Sequence, residues 1–114
     1  MRLRSALAAA LGGLMLSAAL PSSPASAATG EFVYTYVGLN SVALRGVLAD
    51  PESGQCINLP ETVGSALPAH APRNHTNSTA TVFLDADCDG DTFYVMNPGK
   101  VLGDRLRLRS VVFG

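Results

Sequence analysis

The sequence predicts an all-β domain behind a short N-terminal leader. Three observations carry that reading. Past residue 27 the apolar residues recur with period two, the runs are broken at close intervals by Gly, Pro, Asn and Asp, and no stretch shows the i, i+3, i+4 spacing of an amphipathic helix.

The leader comes first. Arg2 and Arg4 precede an uncharged apolar stretch from Ala6 to Leu20, and the small, polar segment after it ends in Ala25-Ser26-Ala27. This is the layout of a secretory signal peptide with an A-x-A cleavage site. The apolar run falls short of the roughly 20 residues that a spanning helix needs, so export is expected rather than stable membrane insertion. Removing residues 1–27 from a chain of 114 leaves 87, Ala28 to Gly114, the size of one domain. Six basic residues against nine acidic ones give that domain a formal charge of −3 with no basic patch, which argues against nucleic acid as a partner. A secreted monomer is expected.

Glu31 to Val37, "EFVYTYV", reads as a strand with Phe32, Tyr34 and Tyr36 on one face. Ser41 to Leu48 is a second apolar run, and Asp50 to Gly54 is a turn cluster. Gln55 to Leu59 is a short strand that Pro60 stops. Glu61 to Asn74 is less regular, and Pro68 and Pro72 argue against a central strand there. Thr79 to Leu84 is rich in β-branched residues, Thr92 to Met96 is a further strand, and Asn97-Pro98-Gly99 turns the chain. Arg105 to Phe113 closes the domain. Within it "RLRLR" sets Leu106, Leu108 and Ser110 on one face and Arg105, Arg107 and Arg109 on the other, the solvated outer face of an antiparallel sheet.

The only two cysteines, Cys56 and Cys88, lie 32 residues apart in the exported part. That spacing is unlike C-x-x-C, and a small exported domain gains from a staple, so a Cys56–Cys88 disulfide is predicted over a metal or redox pair.

Two windows repeat a pattern of apolar strand, acidic turn, glycine, apolar strand and proline. Val47 is followed seven residues later by Gly54, and Phe83 seven residues later by Gly90. "VFLDADCDG", with Phe83 and Gly90 on the aromatic and glycine positions, resembles the folded hairpin of the βγ-crystallin superfamily. The C-terminal "SVVF", with Ser110, is similar to the serine-containing last strand of the same motif. The wider layout of Cys56, Asn74, Thr76, Asp87, Cys88, Gly90, Pro98, Gly99, Ser110, Val111 and Phe113 resembles secreted actinobacterial members of that superfamily, both metalloproteinase-inhibitor-like and killer-toxin-like. The resemblance implies a compact Greek-key β-sandwich of two crystallin-like units over residues 28–114. Phe32 to Asn40 lacks a counterpart in the motif and is expected to add a strand.

"DADCDGD", Asp85 to Asp91, also opens like an EF-hand loop. Counting from Asp85, however, position 12 is Met96, which carries no ligand atom for calcium, and the loop runs into a strand. The crystallin-type calcium hexapeptide ending on Ser110 would place Arg105, Leu106 and Arg109 on ligand positions. The stretch is therefore read as a folded hairpin, with weak surface binding of calcium left open. His70 and His75 lack the further ligands of a zinc site, and no nucleophile-elbow motif occurs. No metal, cofactor or catalytic set is expected.

The function expected is that of a small, non-enzymatic binding protein. The resemblance implies a proteinase-inhibitor-like role against an extracellular protease or a cell-surface component. The candidate contact region is the proline-stiffened loop carrying Pro60, Pro68, His70, Pro72, Arg73 and Asn74. The alternatives are a killer-toxin-like antimicrobial, against which the mild negative charge argues, and a structural or surface-associated protein.

Overall fold

The computed structural model of the chain describes residues 26–114; most of the expected leader lies outside the described residues. Eight strands are arranged in two antiparallel sheets: β1 (Gly30–Val37), β2 (Ala43–Ala49), β3 (Cys56–Asn58), β4 (Ala69–Thr76), β5 (Ala80–Phe83), β6 (Phe93–Met96), β7 (Arg107–Leu108) and β8 (Ser110–Phe113). The first sheet runs β2-β1-β4-β7 and the second β3-β8-β5-β6. Among the described residues there is no α-helix, only single 3-10 turns at Leu39–Ser41, Pro60–Thr62 and Ala86–Cys88.

The alternation read from the sequence builds the core. Phe32 and Tyr34 point inward from β1, Val82 from β5, and Val111 and Phe113 from β8, all fully buried. Phe32 meets Phe113 edge-on, with ring centroids 5.5 Å apart, so an aromatic pair links the two sheets. Ala28, at the start of the expected exported chain, is buried, and its N–H donates to the Pro51 carbonyl at 2.8 Å.

Three expectations are corrected. The segment containing Phe32 is no added strand; β1 sits between β2 and β4 at the heart of the first sheet. The prolines do not exclude a central strand after Pro68, because β4 lies between β1 and β7 with Pro72 inside it. The register explains how. Val33 pairs with Arg73 and Thr35 with His70, so Ala71 and Pro72 together oppose Tyr34. This is a bulge, with Ala71 at φ 54°, and at a bulge the N–H that proline lacks is not required. The third correction concerns the last segment, which is two strands in different sheets. Arg107–Leu108 pairs with β4, Ser110–Phe113 pairs with β3 and β5, and the chain crosses over at Arg109.

Two turns share one local geometry, though not at the two windows whose pattern repeats in the sequence. The matching turns are Leu39–Ser41 and Ala86–Cys88. Asn40 and Asp87 have φ of 58° and 62°, Ser41 and Cys88 60° and 52°. In each turn the next residue closes back on the first: Val42 N–H to the Leu39 carbonyl and Asp89 N–H to the Ala86 carbonyl, both at 3.3 Å. Gly90 has φ 89°, a conformation that favours glycine in that hairpin; a Cβ there would meet only the end of the exposed Asp85 side chain.

Candidate functional site

The Cys56–Cys88 disulfide is formed. It ties the edge strand β3 to the turn Ala86–Cys88. Asn58 adds a two-way clasp: its amide donates to the Asp87 carboxylate at 2.9 Å and its carbonyl oxygen accepts the Asp87 N–H at 2.7 Å. The aspartates of "DADCDGD" are exposed around this pinned tip. Among the described residues no group of three or more His, Cys, Asp or Glu is assembled as a metal site would be.

From β3 the chain enters the segment that the sequence marks as a contact loop. Leu59 is fully buried and anchors its start. Pro60 opens a 3-10 turn, where its fixed φ and missing N–H suit the first position. The Thr62 hydroxyl donates back to the Leu59 carbonyl at 2.9 Å. Ser65 N–H reaches the Thr62 carbonyl at 3.1 Å, and the Ser65 hydroxyl accepts the Leu67 N–H at 3.1 Å. Gly64 supplies φ 73° between them.

Arg109 holds the loop from below. Its Nη1 donates to the Thr62 and Ser65 carbonyls at 3.2 and 3.0 Å, and its Nη2 to the Ala66 carbonyl at 3.0 Å. A planar guanidinium fork spans three carbonyl dipoles in fixed directions, which a single ammonium would not do. The expectation that Arg105, Arg107 and Arg109 form one solvated row is thereby corrected: Arg109 is half-buried at the crossover between sheets and is engaged by the loop. On the other flank, the Tyr34 hydroxyl donates to the Glu61 carboxylate at 2.6 Å. Burial, reinforced by the hydrogen bond and by the carboxylate charge, pushes the Tyr34 phenol well above its usual pKa.

With its carbonyls tied inward, the loop turns its apolar side chains outward. Val63 is 68% exposed and Leu67 is 52% exposed. Beside it lies an open groove of about 310 Å³, lined by Val37, Leu67, Pro68, His70, Asp104 and Arg107.

The sequence-derived contact residues divide. Pro60 and Pro68 belong to the exposed loop and His70 borders the groove. Pro72 is buried in the bulge. Arg73 is half-buried, and its guanidinium donates to the Thr35 hydroxyl at 3.3 Å and the Ala71 carbonyl at 3.4 Å. Asn74 is fully buried and structural. Its amide donates to the Ser78 and Met96 carbonyls at 2.8 and 2.9 Å, while its oxygen accepts from the Thr76 N–H and hydroxyl. The exposed part of the expected contact region is Pro60–His70, where the sequence reading passed over the outward-facing Val63 and Leu67 and the supporting Arg109. The break in strand pairing at Arg109 was concealed by an alternation that treats all three arginines alike.

No protein-family model, curated protein or solved structure matches this chain.

Proposed function

We propose that this is an exported, non-enzymatic binding protein that docks the loop Pro60–Pro68 into the cleft of an extracellular protease. The observation that carries the reading is the Arg109 clamp. Three hydrogen bonds fix the loop backbone before any partner arrives while Val63 and Leu67 project into solvent. A loop already ordered avoids much of the entropic cost of docking, and exposed apolar side chains on a fixed backbone are what a protease cleft accommodates. The disulfide supports the same reading, because it pins the strand that leads into the loop.

The build we propose beneath the loop is two Greek-key units of the βγ-crystallin kind, β1–β4 and β5–β8. Strand order supports this: β4 lies beside β1 and β8 beside β5, as the fourth strand of a Greek key lies beside the first, and each unit lends its third strand to the other sheet. The paired turns at Leu39–Ser41 and Ala86–Cys88 support it from local geometry.

The test is inhibition of a neutral metalloprotease and of a subtilisin-type serine protease by the purified, oxidised protein. Saturable inhibition of one of them, weakened roughly tenfold or more by Val63→Asp and untouched by Val101→Asp at an exposed site outside the loop, is the expected result. Failure to inhibit either enzyme, or equal inhibition by the Val63→Asp protein, overturns the reading.

A further inference from the structure

The second sheet has an edge that the fold leaves open. The other three edges are blunted. β3 is covered by the disulfide-linked turn, β7 is only two residues long, and β2 carries Arg45, which pairs with Glu31 at 3.6 Å. β6, "FYVM", has no charge, no proline and no bulge, and it pairs only with β5. Its first three side chains stand in solvent: Phe93 is 51% exposed, Tyr94 50% and Val95 56%.

The open part of the outer face behind this edge is uncharged as well, while the Asp85–Cys88 turn covers its far side at Ser110 and Asn58. Directly paired residues of an antiparallel ladder share a face. One row therefore runs Val95, Thr81, Val112, Cys56 and the next runs Phe93, Phe83, Ser110, Asn58. Phe83 and Phe93 are stacked at a tilt, with ring centroids 5.7 Å apart. The first sheet is different: its outer face carries Glu31, Arg45, Arg73 and His75.

The ladder also shows which backbone groups are free. The Leu84 N–H bonds to the Thr92 carbonyl at 3.1 Å, and the Phe83 carbonyl turns the other way to accept the Arg109 N–H at 2.8 Å. Alternation along an antiparallel pair then turns the N–H and C=O of Tyr94 toward β5 and those of Phe93 and Val95 outward.

We propose that β6 pairs with β6 of a second copy, antiparallel and centred on Tyr94, joining the two second sheets into one of eight strands. That register sets Phe93 against Val95 of the other copy, and the four outward groups on each strand satisfy one another. It also sets the apolar outer ends of the two rows, Phe93 and Val95, side by side across the join. Charge at the two ends of β6 favours the same direction, with Arg105 and Arg107 lining the hollow beside Tyr94 between those ends. β6 has an acidic end, the tip with Asp89 and Asp91, and a basic end, the Asn97–Lys100 turn bearing the only lysine. Antiparallel pairing of two copies sets each acidic end beside the other copy's basic end, whereas parallel pairing would bring like ends together. A contact of four residues per strand buries less than the roughly 1,200 Å² of a stable standard-size complex, so the dimer is reversible, with a dissociation constant on the order of 10 μM to 1 mM, in place of the fixed monomer that size alone suggests.

Sedimentation equilibrium of the purified, oxidised protein over that concentration range tests the pairing. The expected result is a monomer–dimer equilibrium that Val95→Lys abolishes without lowering the melting temperature, the residue being exposed. Phe93→Glu is expected to be monomeric alone and to form a heterodimer when mixed with the Val95→Lys protein, because the proposed register sets residue 93 opposite residue 95. A wild type that stays monomeric up to about 1 mM overturns the proposal and leaves the edge to a partner of different sequence. A dimer unchanged in the Val95→Lys protein overturns it by placing the interface elsewhere. Heterodimers that fail to form overturn the Tyr94-centred register.

Discussion

Ser110 locks the folded hairpin to the last strand through Asp85: its hydroxyl donates to the Asp85 carbonyl at 2.6 Å. The same oxygen accepts the Cys88 N–H at 2.9 Å, so one fully buried side chain satisfies both limbs of the turn. Ser110→Ala leaves the Asp85 carbonyl and the Cys88 N–H without that partner. A loss of about 1–3 kcal/mol in unfolding free energy is expected, the cost of stranding buried polar groups. Chemical denaturation compares the variant with wild type; equal midpoints and slopes would mean that the hydroxyl is not holding the hairpin.

The disulfide acts on the same turn from the opposite side. Reduction, or the Cys56→Ser/Cys88→Ser pair, frees a separation of 32 residues and should cost roughly 3–4 kcal/mol on the chain-entropy estimate. Intact mass with and without reductant checks the bond itself, which adds two hydrogens when broken. Denaturation of both forms checks its worth.

Much of this scaffold was legible from residue pattern alone. Phe32, Tyr34 and Tyr36 alternate because every second side chain of a strand meets the same core, and Gly54 and Gly90 mark turns because they take φ of 78° and 89°. β4 was illegible for a physical reason. Its residues "AHAPRNHT" hide their burial in polar groups, since Asn74 and Thr76 are satisfied by each other and by nearby carbonyls. A pattern of apolar periodicity has no means of seeing a buried amide whose hydrogen bonds are all made, nor a bulge that absorbs a proline. The loop that begins at Pro60 was legible from its prolines, but its rigidity was not, because Arg109 lies more than forty residues away in sequence.

Arg109→Ala should release the loop without unfolding the sheets. Hydrogen exchange at Val63 and Ser65 is expected to rise by roughly tenfold, the factor that about 1.4 kcal/mol of lost local hydrogen bonding gives. Limited proteolysis should shift toward residues 62–67. Arg109→Lys should restore only part of the protection, since one ammonium does not span three carbonyls. Unchanged exchange in Arg109→Ala would show that the loop is ordered by Pro60 and Thr62 alone.

The last expectation concerns pH. In the unfolded chain Tyr34 ionises near the ordinary phenol value of about 10. In the folded protein, burial first, and then the hydrogen bond and charge of Glu61, hold its pKa well above that value. Folding therefore retains a proton that the unfolded state releases. The contribution is complete below a pH of about 10 and is lost progressively as pH rises through the higher folded value, so stability falls with increasing alkalinity in that window. Denaturation midpoints should hold level up to about pH 9 and then decline. Of the three tyrosines, one should yield its phenolate absorbance only together with unfolding. Tyr34→Phe removes the group. Its midpoint is expected to be lower at neutral pH, because the bond to Glu61 is gone, and its alkaline decline shallower, because the trapped proton is gone too. An alkaline slope identical to wild type would mean that the decline belongs to other groups and that Tyr34 is not the buried phenol controlling it.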